Sequence, residues 1–501
     1  MDSPVNFIKS TLQPSQHPYL NGAWTPLHEE LSTSDLEIIG EVPTDINGVY
    51  IRNTENPVHD SIGFYHPFDG DGMIHSISFR DGKVHYTNRF VRTDGFIEEQ
   101  KAGRGLWAGL ACNPAKAERG EGWGARGAMK DASSTDVVVH GGEIISTFYM
   151  CGEGYRLDPY TLETKGTADW VPPEGISAHP KVCPHTGELL FFNYGKQAPY
   201  MHYGVVGADG KLAHMIPIEL PGPRLPHDMA FTRNYSILID LPLFWDPELL
   251  ANNIHATRYF PNIPTRFAIV PRRGNVSEIK WFHAAPTYVL HWMNAFEDGN
   301  EIVLDGFFQD DPDPDPLPTP GMNKRLGKLL ANIDEHSFKP RLHRWRFNLD
   351  TGETREERLD NRTMEFGTFN STYAGEKSRY LYSTTTEPGW FLFTGLVKTD
   401  LETGDTASLS FGENRYGSEA PFAPRTRNGH APSGDEDDGY LVSFITDLNE
   451  KRSECVVIDA KDIDAGPVCR ILLPHQISSG THASWASHDE IAAGRARNQA
   501  I

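Results

Sequence analysis

The chain alternates, over hundreds of residues, between short β-rich runs and a glycine-containing turn. Asp81-Gly82 separates Ser76–Phe79 from Val84–Tyr86, and Thr186-Gly187 precedes Leu189–Phe192. Asp209-Gly210 follows Tyr203–Val206, and Asp298-Gly299 precedes Ile302–Leu304. Asp350-Thr351-Gly352 follows the alternating run Leu342–Phe347, and Thr403-Gly404 closes another such run. These dipeptides supply the positive φ that tight hairpins require. With 46 glycines, 36 prolines and 11% aromatic residues, the pattern predicts an all-β fold. An array of this many hairpins must protect its strand edges, and a closed propeller does so by radial repetition. No WD or kelch signature accompanies the repeat. A single domain is expected over 1–501, with loosely held arms at about 1–20 and 487–501.

Two segments interrupt the rhythm. Asp310–Pro316 alternates aspartate and proline and cannot be a central strand, because proline lacks the N–H donor. Behind it, Leu326, Leu329, Leu330 and Ile333 recur at helical spacing and predict a short helix over Asn323–Ile333, packed on the propeller, lining a tunnel mouth or dipping into lipid. The acidic stretch Asp435–Gly439 reads as a solvated loop.

The formal charge of −22 argues against nucleic acid and against an anionic membrane surface as partners. Five cysteines, odd in number and outside CxxC pairs, predict free thiols and a reducing, cytoplasmic setting. The N-terminus has neither the basic nor the apolar region of a signal peptide. No run approaches the ~18 apolar residues of a spanning helix, so membrane contact is expected to be at most weak and peripheral.

Four histidines sit in separate short motifs: His179 in Ser-Ala-His-Pro-Lys, His227 in Pro-His-Asp-Met-Ala, His291 in Val-Leu-His-Trp-Met-Asn, and His482 in Gly-Thr-His-Ala-Ser-Trp. Gaps of 48, 64 and 191 residues fit no local metal motif, so only a closed fold would bring the four together. Neutral imidazole suits iron, zinc, copper and nickel. An all-imidazole ligand set leaves the ion's charge uncancelled and leaves room for a further ligand. Asp228, beside His227, is an alternative metal group.

At these motifs the sequence resembles the carotenoid cleavage oxygenase family, which includes apocarotenoid oxygenases, stilbene-cleaving dioxygenases and an isomerohydrolase. Gly48–Pro57 and His66–His75 match further signatures of that family, and the likeness runs nearly the whole chain. The resemblance implies a seven-bladed β-propeller with a helical or loop cap over an axial Fe(II). It assigns the iron to His179, His227, His291 and His482, with Glu365 and Glu419 behind the ligands. It implies cleavage by O2 of a C=C bond in a conjugated alkene, giving two carbonyls and using no nicotinamide or flavin. Phe68, Tyr149, Trp292 and Phe307 are candidate substrate-tunnel residues.

Two departures bear on the site. Where the family places a third glutamate, this chain has Tyr149 or Met150, so one histidine is expected to lean on water, a tyrosine hydroxyl or a backbone carbonyl. The lysine and tyrosine with which stilbene cleavers hold a phenol are replaced near Phe148, Tyr149 and Ala111. That favours an apocarotenoid-like polyene over a phenylpropenoid or stilbenoid substrate. A non-oxidative isomerohydrolase and a propeller with a structural metal are the remaining alternatives.

Overall fold

The computed structural model describes residues 5–13, 17–63, 65–110, 112–119, 129–251, 257–310, 312, 339–386, 392–427, 430–432 and 434–499. Seven antiparallel sheets of four or more strands form the blades of a propeller. The glycines of the turn dipeptides adopt the left-handed conformation that hairpins demand: φ is 69° at Gly82, 72° at Gly187, 73° at Gly210, 64° at Gly299, 78° at Gly352 and 79° at Gly404. The innermost strands, from blade 1 to blade 7, are Ala483–Ser487, Asp136–His140, Lys181–Val182, Ala230–Phe231, Trp292–Asp298, Met364–Thr368 and Phe422–Pro424. Blade 1 takes its innermost strand from the far end of the chain, Ala483 pairing with Arg52 and Ser487 with Gly48. Blade 7 takes its outermost strand from the near end, Glu37–Gly40 pairing with the strand Pro467–Leu472. The ring is thus latched twice.

Neighbouring blades share apolar clusters. Tyr50, Phe79 and Tyr86 meet Phe444, Val457 and Ile471 between blades 1 and 7. Phe267 and Phe282 meet Trp292, Trp345 and Phe347 between blades 4 and 5. Each large apolar side chain so buried contributes about 1.5–3 kcal/mol. Every innermost strand starts near the propeller axis and runs toward one face. The second strand returns, so excursions after it leave from the opposite face; these include 53–72, 148–154 and 241–264. That face carries the cap, with the helix Asp94–Ala102 on the neighbouring excursion 91–135, started by Thr93, whose hydroxyl accepts the Phe96 N–H at 3.0 Å.

Several expectations are corrected. The described residues of both ends are held against the propeller. Asn6–Phe7 pairs with Glu29–Glu30, and Thr11 Oγ1 bonds His59 Nδ1 at 2.7 Å. The C-terminal stretch forms the helix His488–Gln499, which buries Ile491 against Val49 and Ile51. His488 Nε2 is 3.0 Å from the carbonyl of Phe79. The acidic stretch is a paired loop: Asp437 binds Lys398 at 2.7 Å, Asp438 binds Arg425 at 3.1 Å, and Glu436 accepts the backbone N–H of Arg379 and of Tyr380. The helix expected over 323–333 lies outside the described residues, as does Ala111. None of the five cysteines forms a disulfide, and among the described residues no helix is long and apolar enough to cross a membrane.

Candidate metal centre

The four motif histidines converge where the innermost strands begin. Their ligand atoms all lie within 4.8 Å of one another, and all but the half-buried His227 are buried. His179 Nε2 is 3.2 Å from His227 Nε2, the separation expected of two imidazoles each about 2.0–2.1 Å from one shared ion. His291 Nε2 points into the same space, buried and without a hydrogen-bond partner. A ring nitrogen left so would be costly in a protein interior unless it met a cation. The donor set therefore fits a first-row transition metal.

Local backbone geometry aims these groups. His179 sits at φ 64°, a left-handed conformation disfavoured for a residue with a Cβ. The innermost strands of blades 5 and 6 carry register shifts between Trp292 and Ala295 and between Glu365 and Thr368. Such bulges re-aim side chains at the mouth of a sheet. The second turns Glu365 toward His291, its Oε2 lying 2.6 Å from His291 Nδ1. Glu419 Oε2 lies 3.3 Å from His482 Nδ1 and accepts the Ala483 N–H at 2.6 Å. Asp228 is no ligand; it accepts the N–H of Met229 and of Trp292 and pairs with Lys181 Nζ at 2.7 Å.

Burial, reinforced by the neighbouring imidazoles, holds His179, His227 and His291 well below the usual histidine pKa, leaving their nitrogens free to donate lone pairs. Burial also opposes a charge on His482, but the Glu419 carboxylate, with Asp136 and Asp228, outweighs it and raises that pKa. Burial lifts the Glu365 carboxyl to about 8.

The remaining sequence candidates divide. Tyr149 packs its ring 5.3 Å from Phe68 and 4.9 Å from Phe148 on the cap side. Its backbone carbonyl accepts Tyr194 Oη at 2.6 Å, while its own hydroxyl is buried without a partner. It does not back a histidine, and neither does Met150, whose sulfur accepts from Tyr194. Phe307 is fully buried with Met293, Leu342 and Met364 between blades 5 and 6, a core position rather than a tunnel wall. Trp292 packs on Phe267 and Trp345 and borders the axial cavity. That cavity, about 560 Å³, runs from the histidines past Lys181 and Asp228 to His140, His185 and Arg497 at the face away from the cap.

Two residues at the centre escape a reading of motifs. Phe366, at φ 47°, stacks on His482 with centroids 4.5 Å apart and planes at 11°. Asp136 opens the innermost strand of blade 2 and places Oδ2 3.7 Å from His179 Nδ1. The run Ser-Thr-Asp-Val-Val-Val carries only a strand signal, and its position on the axis is visible only once the ring is closed.

A seven-bladed propeller with four imidazoles gathered on its axis, backed by carboxylates, defines a metal-dependent oxygenase class. Residues 24–487 match the family described as retinal pigment epithelial membrane protein, and the chain belongs to this family, the carotenoid cleavage oxygenases. A carotenoid 9,10(9',10')-cleavage dioxygenase of Pisum sativum is 33% identical, with 95% of this chain and 91% of that protein covered. An isoeugenol monooxygenase of Pseudomonas nitroreducens is 32% identical, with 93% and 98% covered. Among solved structures, the lignostilbene dioxygenase of Pseudomonas brassicacearum superposes with a TM-score of 0.82 at 27% identity, covering 95% of this chain and all of that one. The Synechocystis apocarotenoid oxygenase gives 0.79 at 26%, with 93% and 98% covered. The protein is an enzyme of the dioxygenase type.

Proposed function

We propose that this enzyme binds Fe(II) through His179, His227, His291 and His482 and cleaves a C=C bond of a conjugated alkene with O2, giving two carbonyl products. The convergence of four imidazoles within 4.8 Å carries the reading. Bound there, Fe(II) would supply the position at which O2 is taken up and activated. The protein supplies the rest. Glu365 and Glu419 orient His291 and His482 and raise their basicity. Phe366 wedges against both rings and keeps them from turning. Phe68, Phe148 and Tyr149 offer an aromatic wall that would position an extended π-system and exclude water. The deciding assay follows O2 consumption and carbonyl products by mass spectrometry, from anaerobic to aerobic conditions, with Fe(II)-loaded enzyme. Products formed without O2 uptake would point to non-oxidative chemistry instead. A cytoplasmic location belongs to the same reading.

Replacing Glu365 or Glu419 by glutamine should weaken iron binding or turnover by about 10–100-fold, the usual effect of losing a partner hydrogen-bonded to a ligand. Equilibrium dialysis against Fe(II) measures this, and wild-type affinity in both variants would contradict the assignment.

Two substrate classes fit. An apocarotenoid-like polyene suits the absence of a phenol-binding lysine near Tyr149. A phenylpropenoid or stilbenoid alkene, cleaved to an aromatic aldehyde, is favoured by one observation: the Tyr149 hydroxyl is buried and unpaired. Burial, with the fields of Asp69 and Glu55, pushes its pKa well up, so it remains a neutral donor. A substrate hydroxyl would satisfy it. Tyr149→Phe should therefore lower kcat/KM for a 4-hydroxyphenylpropene by ~10–100-fold while leaving its methyl ether and an apocarotenal nearly unchanged. An equal loss on all three would make Tyr149 a packing residue only.

A further inference from the structure

The seven innermost strands bring one chemically distinctive group each to the axis. Around the ring they run His482, Asp136, His179, His227, His291, Glu365 and Glu419. The three blades that lack a histidine all present a carboxylate, and each carboxylate adjoins a histidine of a neighbouring blade. Glu365 serves His291 and Glu419 serves His482. Asp136 stands between His482 and His179. Its Oδ1 accepts the Val137 N–H at 2.7 Å, which fixes the carboxylate plane. Its Oδ2 accepts the His179 backbone N–H at 3.2 Å and lies 3.7 Å from the His179 ring nitrogen Nδ1. The peptide it grips is the one held at φ 64°. Asp136 is 7% exposed, and among the described residues no lysine or arginine lies within 4 Å of its carboxylate, which faces the neutral His179 ring instead. His227, flanked by two histidine-bearing blades, has no carboxylate neighbour on the ring.

We infer that Asp136 is a positioning residue for metal binding: it holds His179 in its strained backbone conformation and sets negative charge behind that ring. It thereby supplies a third carboxylate to the ring in a chain that lacks the third glutamate. The inference rests on the four-imidazole reading.

The test is anaerobic titration of the metal-free full-length protein with Co(II), reading affinity by calorimetry and ligand geometry by the visible absorption bands of the cobalt form. Asp136→Asn keeps the shape and an acceptor for the His179 N–H but removes the charge; Asp136→Ala removes both. Asp136→Asn is expected to weaken Co(II) binding by ~10-fold and Asp136→Ala by ~100-fold, with altered band positions in the alanine form. The metal-free Tm of Asp136→Asn should match wild type. Unchanged affinity and bands in both variants would overturn the inference while leaving the four-imidazole centre standing. A metal-free Tm lowered as far as the metal-loaded one, with affinity intact, would likewise overturn it in favour of a purely structural role. Equal Co(II) binding by wild type and His179→Ala would remove the centre and the inference together.

Discussion

Alanine at any one of His179, His227, His291 or His482 is expected to bring turnover below about one-hundredth of wild type and to lower bound iron in step. The four nitrogens share one small space, and no other described group is placed to fill a vacated position: Asp228 is committed to Lys181 and two backbone N–H groups. Deleting one imidazole also strands its partner. In His291→Ala the Glu365 carboxylate loses its 2.6 Å contact and remains buried. The carboxyl then keeps only the Phe366 N–H at 2.7 Å, and a buried polar group that loses a hydrogen bond is destabilising in its own right, so this variant should lose thermal stability even without metal. His227→Ala, which strands no carboxylate on the ring, should lose activity with little change in the metal-free Tm. Iron content by plasma emission, turnover and calorimetry on the four variants give the comparison. Full activity with iron retained in any one of them would remove that residue from the site.

The second large effect is expected at a residue with no side chain. A Cβ on Gly480 would lie 2.5 Å from Arg52 Nε and 2.6 Å from the carbonyl oxygen of Asn53. Neither can retreat. Arg52 is fully buried and bonded to the Ser478 carbonyl at 2.7 Å, and Asn53 O accepts the Thr481 N–H at 3.1 Å. Forcing a methyl group into such packing costs about 1–3 kcal/mol or more. The strain falls on the two residues leading to His482, whose own carbonyl holds the Asn53 N–H at 2.9 Å. Gly480→Ala should therefore lower Tm by several degrees and weaken Co(II) binding at least ~10-fold. Wild-type Tm together with wild-type metal affinity would show that the segment accommodates the methyl group.

Much of this architecture is legible in the residues. The turn dipeptides announce left-handed glycines, and the structure has them at Gly82, Gly187, Gly210, Gly299, Gly352 and Gly404. The histidines can be read because each sits in a short distinctive string, and Glu365 and Glu419 through the family resemblance alone. What resists reading is whatever depends on ring closure. Asp136 is an ordinary aspartate at a strand entry until blade 2 is set between His482 and His179. Phe307 looks like any candidate tunnel aromatic until its strand places it on the inter-blade side. The C-terminal helix is rich in alanine, arginine and polar residues and hides its anchor in Ile491 and His488. Asp435–Gly439 looks solvated because its cationic partners, Lys398 and Arg425, come from other parts of the chain.

The double latch has a consequence for the order of events during biosynthesis. His482 stands just before the strand that completes blade 1, and its three companions lie at least 191 residues earlier in the chain. The fourth imidazole can join the other three only when the circle shuts. Until then a nascent intermediate would hold metal loosely, with one side of the ion open to solvent and oxygen. Topology would thus act as a checkpoint: the set of four imidazoles is complete only once the ring of blades is whole.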